Sequence, residues 1–222
     1  MKIFDLSGPL ITSMWNYGNP YKPYKMNRIA TLPVNGYIAS ELQMTTHTGT
    51  HVECGRHWWE EGQSVDQIDL ERFIGPARVL RLPEKGKPLS SITADDLEKS
   101  GGHLLEPGDI CILYTGWDKY WEDANYTTES PYLTLDAAEY LVDKQIRLFA
   151  SDFAMCGDPR DGIDFVPSGM ELPDYILLKK DTPYILGLTG IDKIPDRVTF
   201  CGFPLRVIEG DGSPIRAVAW TS

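Results

Sequence analysis

The sequence predicts an α/β fold in a single domain spanning residues 1–222. Three observations lead there. A chain of 222 residues with 42% hydrophobic content can bury a substantial core, yet lies within the size of one domain. Short apolar runs, Ala77 to Leu82, Asp109 to Thr115 and Ile146 to Ala150, read as strands. Among them, Thr93-Ala94-Asp95-Asp96 opens a helix, with Thr93 as cap and acidic residues at its positive end, and Leu135 to Val142 fits another.

In chain order, Ile3 to Leu6 predicts a short first strand. The following segment holds Trp15, Tyr17, Tyr21 and Tyr24 among glycine and prolines, a pattern for a pocket wall or a dimer contact rather than a core. Tyr37 to Thr46 alternates and predicts a strand leading into the histidine cluster described below. Trp58 and Trp59 cannot share one strand face, so one should pack inward and one is free to line a cavity. Gly101-Gly102 stops the helix begun at Thr93, and His103 after it reads as a surface residue. Asp118 to Pro131 lacks a period and predicts a surface excursion. Asp152 follows the strand ending at Ala150, where loops of α/β folds often carry chemistry, although bracing a turn is an equal role for it. Cys156 to Pro173 reads as a loop, a lid or a pocket wall. Tyr175 to Leu178 is a short apolar segment and Tyr184 to Leu188 a strand. Val198 to Ile208 and Ile215 to Trp220 predict a final strand pair across the turn Glu209-Gly210-Asp211-Gly212-Ser213-Pro214.

The formal net charge of −11 argues against nucleic acid and anionic membrane surfaces, which reward positive patches, and favours small-molecule chemistry. No apolar run approaches the roughly 18 residues of a membrane span, and Met1-Lys2-Ile3-Phe4-Asp5 enters a strand pattern rather than a leader, so a soluble, cytoplasmic protein is expected. The cysteines, Cys54, Cys111, Cys156 and Cys201, form no CxxC pair and read as structural thiols.

The densest chemistry lies in His47-Thr48-Gly49-Thr50-His51-Val52-Glu53-Cys54-Gly55-Arg56-His57. His47, His51, Glu53 and His57 all fall on odd positions, which share one face of an extended chain, and Cys54 faces away. A straight strand rises roughly 3.3 Å per residue and would hold His47 about 13 Å from His51. A metal ion wants its ligands within roughly 2 to 2.3 Å. The segment must therefore bend, and Gly49 is where φ is least restricted, with Gly55 offering a second bend. Histidines and a carboxylate at this spacing predict a first-row metal site.

This stretch resembles the signature of the metal-dependent cyclase family, which includes bacterial kynurenine formamidases and isatin hydrolases: His, any, Gly, Thr, His, any, Asp, any, Pro, any, His. The chain keeps His47, Gly49, Thr50, His51 and His57, with Glu53 for the Asp and Gly55 for the Pro. Asp5-Leu6-Ser7-x-Pro9-Leu10, Thr115-Gly116-Trp117 and Gly212-Ser213-Pro214-x-Arg216-Ala217-Val218-Ala219 resemble further family segments, so the likeness runs from Asp5 to Ala219. It implies a mixed β-sheet core with flanking helices, the swivelling β/β/α type, and a homodimer or larger homo-oligomer. It also implies a hydrolase that opens an amide, lactam or lactone carbonyl of a small aromatic substrate.

Family members that bind two metals add a downstream His and Glu. Here those positions fall near Asp174 or Tyr175 and at Leu186, so one divalent ion, Zn or Mn, is expected on His47, His51 and Glu53. Asp152, Glu171 and Asp174 are additional candidates. His57 is expected to act as the catalytic proton carrier for a metal-activated water, since an unperturbed imidazole pKa of about 6.5 suits both directions of transfer. Trp15, Tyr17, Trp58 and Trp59 are expected to bind the substrate. The two lost ligands leave open an alternative: a degenerate member that binds a small molecule or metal without turnover.

Overall fold

The computed structural model describes residues 1–161 and 171–221. Its strands are β1 (Ile3–Asp5), β2 (Lys25–Ala30), β3 (Ala39–Gln43), β4 (His51–Glu53), β5 (Ile74–Arg81), β6 (Ser91–Ile92), β7 (Ile110–Tyr114), β8 (Tyr132–Leu133), β9 (Leu148–Ser151), β10 (Tyr184–Leu186), β11 (Arg197–Cys201), β12 (Gly212–Pro214) and β13 (Val218–Trp220). The helices are α1 (Leu32–Asn35), α2 (Ala94–Lys99), α3 (Leu135–Asp143) and α4 (Pro173–Lys179). Nine strands form one mixed sheet in the order β1-β13-β11-β5-β7-β9-β10-β4-β12. Its centre, β5-β7-β9-β10, is parallel, and antiparallel strands extend both sides. This is the mixed α/β sheet expected, with few helices.

The parallel centre is covered on both faces, which is why β7 and β9 are continuous apolar runs. Cys111, Leu113 and Phe149 point to the side where Leu97, Ala137, Ala138, Leu141 and Leu177 pack from the helices. Ile110, Ile112, Leu148 and Ala150 point to the other side, against Val52, Phe73, Ile185 and Phe200. Helix α2 starts in a capping box: Thr93 Oγ1 accepts from Asp96 N, and the Asp96 carboxylate accepts from Thr93 N at 2.9 Å. Helix α3 buries Ala137, Ala138 and Leu141 at helical spacing, in agreement with the pattern over Leu135 to Val142.

Several local expectations need correction. The strand expected over Tyr37 to Thr46 covers only Ala39–Gln43 and does not enter the cluster. It pairs with β2, a strand that the sequence pattern does not predict, and this hairpin stands apart from the main sheet with most side chains exposed. Asp118 to Pro131 is no surface excursion, because Trp121, Tyr126, Thr127 and Ser130 are buried and aromatic packing replaces the missing period. The apolar segment at Tyr175 to Leu178 belongs to α4. The final turn is not a simple hairpin: β11 does pair with β13, but the chain between them forms β12, which crosses to pair with β4. The stretch 162–170, read as lid or wall, lies outside the described residues. No helix among the described residues is long and apolar enough to cross a membrane.

Candidate metal centre

The bend falls where the sequence places it. Gly49 has φ +70°, open to glycine at little cost, and a Cβ there would lie 2.7 Å from Leu10 Cδ2. Thr50 fixes the corner to the sheet: Oγ1 donates to Gly187 O at 2.6 Å and accepts from Gly8 N at 2.9 Å. The chain then enters β4, held between β10 and β12, and the two-residue repeat puts His51 and Glu53 on one face while Val52 and Cys54 join the opposite core. Cys54 Sγ donates to Asp211 O at 3.2 Å, and burial pushes its thiol up to about 12, so it is no nucleophile here.

His47, His51 and Glu53 come together, buried, with one donor atom from each within 4.8 Å of the others. Glu53 Oε1 lies 3.3 Å from His47 Nδ1 and 3.2 Å from His51 Nε2. The opposite ring nitrogens are already engaged: His47 Nε2 donates to Asp211 Oδ2 at 2.8 Å, and His51 Nδ1 to Gly49 O at 2.8 Å. Those outer partners select the tautomers that turn His47 Nδ1 and His51 Nε2 inward as lone-pair donors, the arrangement histidine ligands need. The donor set therefore fits a divalent cation. His57 sits at the rim, its Nδ1 3.6 Å from Asp211 Oδ2 and its Nε2 3.8 Å from Glu53 Oε2. His47, His57 and Asp211 form a second group of the same kind, sharing His47 with the first.

The charges are strongly coupled. Burial disfavours the His47 cation, but its bonds to Asp211 and Glu53 prevail and raise it to about 9. Burial lowers His51. Burial also opposes the Glu53 charge, yet His57, His47 and His51 hold it well below the usual carboxylate range. Hydrogen bonds from His47 and then His57 keep Asp211 low.

A cavity of about 230 Å³ opens beside this cluster, walled by Tyr17, Tyr21, His57, Trp58, Asp174 and Leu186 among others. Tyr17 donates to Ala154 O at 2.8 Å and stands edge-on to His51, as Tyr21 does to His47. Trp58 donates to the Tyr184 hydroxyl at 3.2 Å, and that hydroxyl is 2.7 Å from Glu53 Oε2 and 2.6 Å from Asp174 Oδ1. Burial, then the Glu53 charge, pushes Asp174 up to about 6.

Of the residues expected at the site, His47, His51, Glu53, His57, Tyr17, Trp58 and Asp174 are brought together. Trp15 is not on the wall: it is buried behind Tyr17 in the core, stacked on Tyr126 at 4.9 Å and edge-on to Trp121, so aromatic packing claims its ring. Trp59 faces a separate small pocket with Cys54 and Leu178. Asp152 is spent on the chain, accepting from Thr115 N and Oγ1, Gly116 N and Trp117 N, which is the bracing role. Glu171 is exposed beside Tyr175 and Lys179, away from the histidines. Two residues were not anticipated. Tyr184 had a signal, since it shares a strand face with Leu186, two positions on. Asp211 had none, being indistinguishable from a turn residue until β12 carries it to His47.

The chain belongs to the putative cyclase family, whose model matches residues 4–156. It is 28% identical over 219 residues to a kynurenine formamidase of Bacillus anthracis, covering 98% of this chain and 96% of that one. The fold is similar to isatin hydrolase A from Ralstonia solanacearum, with TM-score 0.86, 22% identity, and 100% of this chain and 92% of that one covered. A structure described as a predicted metal-dependent hydrolase from Bacillus stearothermophilus matches at TM-score 0.74 and 28% identity, over 98% of this chain and 97% of that one.

Proposed function

We propose that the protein is a metal-dependent hydrolase of an amide, lactam or lactone carbonyl in a small aromatic substrate. The observation that carries this reading is the convergence of His47, His51 and Glu53, with outer partners in place, on the wall of an aromatic cavity. These residues would hold one divalent ion, Zn or Mn, by borderline nitrogen and carboxylate donors. When bound, such an ion lowers the pKa of water and polarises a carbonyl oxygen.

The protein's own residues do the rest. His57 stands at the mouth of the cluster and lines the cavity, where it accepts a proton from the attacking water and returns it to the departing nitrogen or oxygen. As the water oxygen bonds to the carbonyl carbon, the C–N or C–O bond breaks, so the proton balance closes on one imidazole. Asp211 faces His57 Nδ1 and leaves Nε2 directed toward Glu53 and the cavity. Trp58, Tyr17 and Tyr21 offer flat surfaces that suit an aromatic ring and exclude water from the reacting carbonyl. The likeness to a kynurenine formamidase favours an aryl formamide, and the likeness to isatin hydrolase a fused lactam. A binding-only role is less favoured, since the ligand trio, the proton carrier and the cavity are all assembled around one point.

Assay of protein purified without chelator against aryl formamides, lactams and lactones, with metal analysis, tests the reading. Turnover abolished by chelator and restored by Zn or Mn is expected. Metal-loaded protein silent on the whole panel would leave a binding module.

Two further features belong to this reading. We infer a homo-oligomer, because the hairpin β2–β3 and the α1 segment between its strands expose Met26, Ile29, Leu32, Val34, Tyr37, Ile38 and Leu42, a run of apolar side chains of the kind that marks a protein–protein contact. The cysteines among the described residues are all free thiols, which suits the reducing cytoplasm.

A further inference from the structure

The two oxygens of Glu53 face different partners. Oε1 is directed at His47 Nδ1 and His51 Nε2, whereas Oε2 lies 2.7 Å from the Tyr184 hydroxyl. Tyr184 stands directly opposite Glu53 in the antiparallel register of β10 and β4, so strand pairing itself sets the contact. The same hydroxyl is 2.6 Å from Asp174 Oδ1 and accepts from Trp58 Nε1 at 3.2 Å. Glu53, Tyr184 and Asp174 are all buried.

Counting protons orders this network. A phenol has one proton and can also accept, while an ionised carboxylate only accepts. Given to Glu53, the Tyr184 proton holds Oε2 at 2.7 Å and leaves the phenol oxygen free to accept from Trp58 Nε1. Given to Asp174, it sets phenol lone pairs against the Glu53 carboxylate at 2.7 Å. The first arrangement is the one that fixes Oε2 of an ionised Glu53, the form that can hold a cation.

We propose, on the reading of His47, His51 and Glu53 as metal ligands, that Tyr184 and Asp174 are positioning residues which together lock Glu53 Oε2 and leave Oε1 as the one oxygen presented to the cation. A glutamate arm has a freely turning terminal carboxylate. The clamp removes that freedom, and it ties the ligand to the substrate cavity, since Trp58 and Asp174 are part of the cavity wall. Binding in the cavity and the presentation of Glu53 are thereby joined through one hydroxyl.

The test is a double-mutant cycle read on Zn and Mn affinity by chelator competition, using Tyr184→Phe, Glu53→Asp and the pair, with thermal melts alongside. Tyr184→Phe should weaken affinity about 10- to 100-fold in the parent protein, the usual effect of removing an outer partner of a ligand. In the Glu53→Asp background the shorter arm does not reach the hydroxyl, so the same change should cost less than about threefold. Asp174→Asn, whose amide can donate to the phenol oxygen and leave its proton to Glu53, should stay near the parent, and Asp174→Ala should weaken affinity about tenfold or more. The two Asp174 variants decide the matter if Tyr184→Phe does not fold. Equal losses in the parent and in the Glu53→Asp background, or unchanged affinity with only lower melting temperatures, overturn the clamp while leaving the metal site standing. A parent that binds neither ion overturns the metal reading and the clamp together.

Discussion

His47 Nε2 donates to Asp211 Oδ2 across 2.8 Å, joining the histidine cluster to a residue 164 positions later. Asp211 also faces His57 at 3.6 Å, so one carboxylate orders both a candidate ligand and the candidate proton carrier. Asp211→Ala should lower metal affinity about 10- to 100-fold and reduce turnover further than occupancy alone explains. Asp211→Asn, which can still accept from His47, should fall between. Chelator competition and steady-state rates at saturating metal check this, and an affinity equal to the parent's would remove Asp211 from the site.

The same pair sets the direction of the pH dependence. In the metal-free protein His47 is raised to about 9 from 6.5, so near pH 7 it carries a proton that ligation must displace. Metal affinity should therefore climb about tenfold per pH unit up to about 9 and then level, with one proton released per ion bound near pH 7. The raised pKa also stabilises the metal-free fold, a contribution fully present below 6.5 and lost as pH rises through about 9. Calorimetry in buffers of different ionisation enthalpy counts the proton. Affinity flat between pH 7 and 9 would show that His47 carries no proton in the metal-free cluster over that range.

Much of this was legible in the sequence, for identifiable reasons. The odd-position spacing of His51 and Glu53 survives because β4 is a true strand, and the bend at Gly49 follows from distance alone. The centre of the sheet and the caps of α2 are local, so periodicity and turn chemistry reveal them. What escaped depends on pairing between distant segments. Asp211 reaches His47 only because β12 crosses to β4, and Tyr184 meets Glu53 only through the β10–β4 register. Trp15 and Trp59 look like wall residues in sequence, and nothing local says on which side of the wall each ring falls.

Asp152 offers a contrast between bracing and ligation. Its buried carboxylate accepts three backbone N–H groups and the Thr115 hydroxyl, and the Tyr126 hydroxyl donates to its carbonyl at 2.7 Å. Asp152→Ala should cost about 3 kcal/mol or more, since each buried donor left without an acceptor costs about 1–3 kcal/mol. The metal content of the folded fraction should not change. Denaturant unfolding with metal analysis checks it; lost metal at unchanged stability would make Asp152 a ligand.

One cation per chain is expected at saturation. The two candidate groups share His47, whose neutral ring has a single free lone pair, so filling one group denies that nitrogen to the other. Leu186, on the cavity wall, supplies no replacement donor. Elemental analysis after loading with excess Zn or Mn and removal of free ion tests the count. A stoichiometry of two would require a further donor set or a doubly bound His47 ring.

The sharpest separation is between His57 and its neighbours. His47 and His51 are buried with both ring nitrogens engaged, whereas His57 is partly exposed, lines the cavity, and stands 3.8 Å from Glu53 and 3.6 Å from Asp211. Replacing His47 or His51 with Ala should lower metal occupancy and turnover together, because the binding energy goes with the ligand. His57→Ala should keep occupancy near that of the parent while the rate falls by roughly 10² to 10⁴, the contribution of a positioned acid or base. His57→Gln, which keeps a hydrogen-bonding side chain but cannot carry the proton, should be as slow as the alanine variant. Occupancy by elemental analysis and rate at saturating substrate distinguish the cases. Loss of metal in His57→Ala would make it a ligand, and a rate equal to the parent's would leave it only a shaper of the cavity.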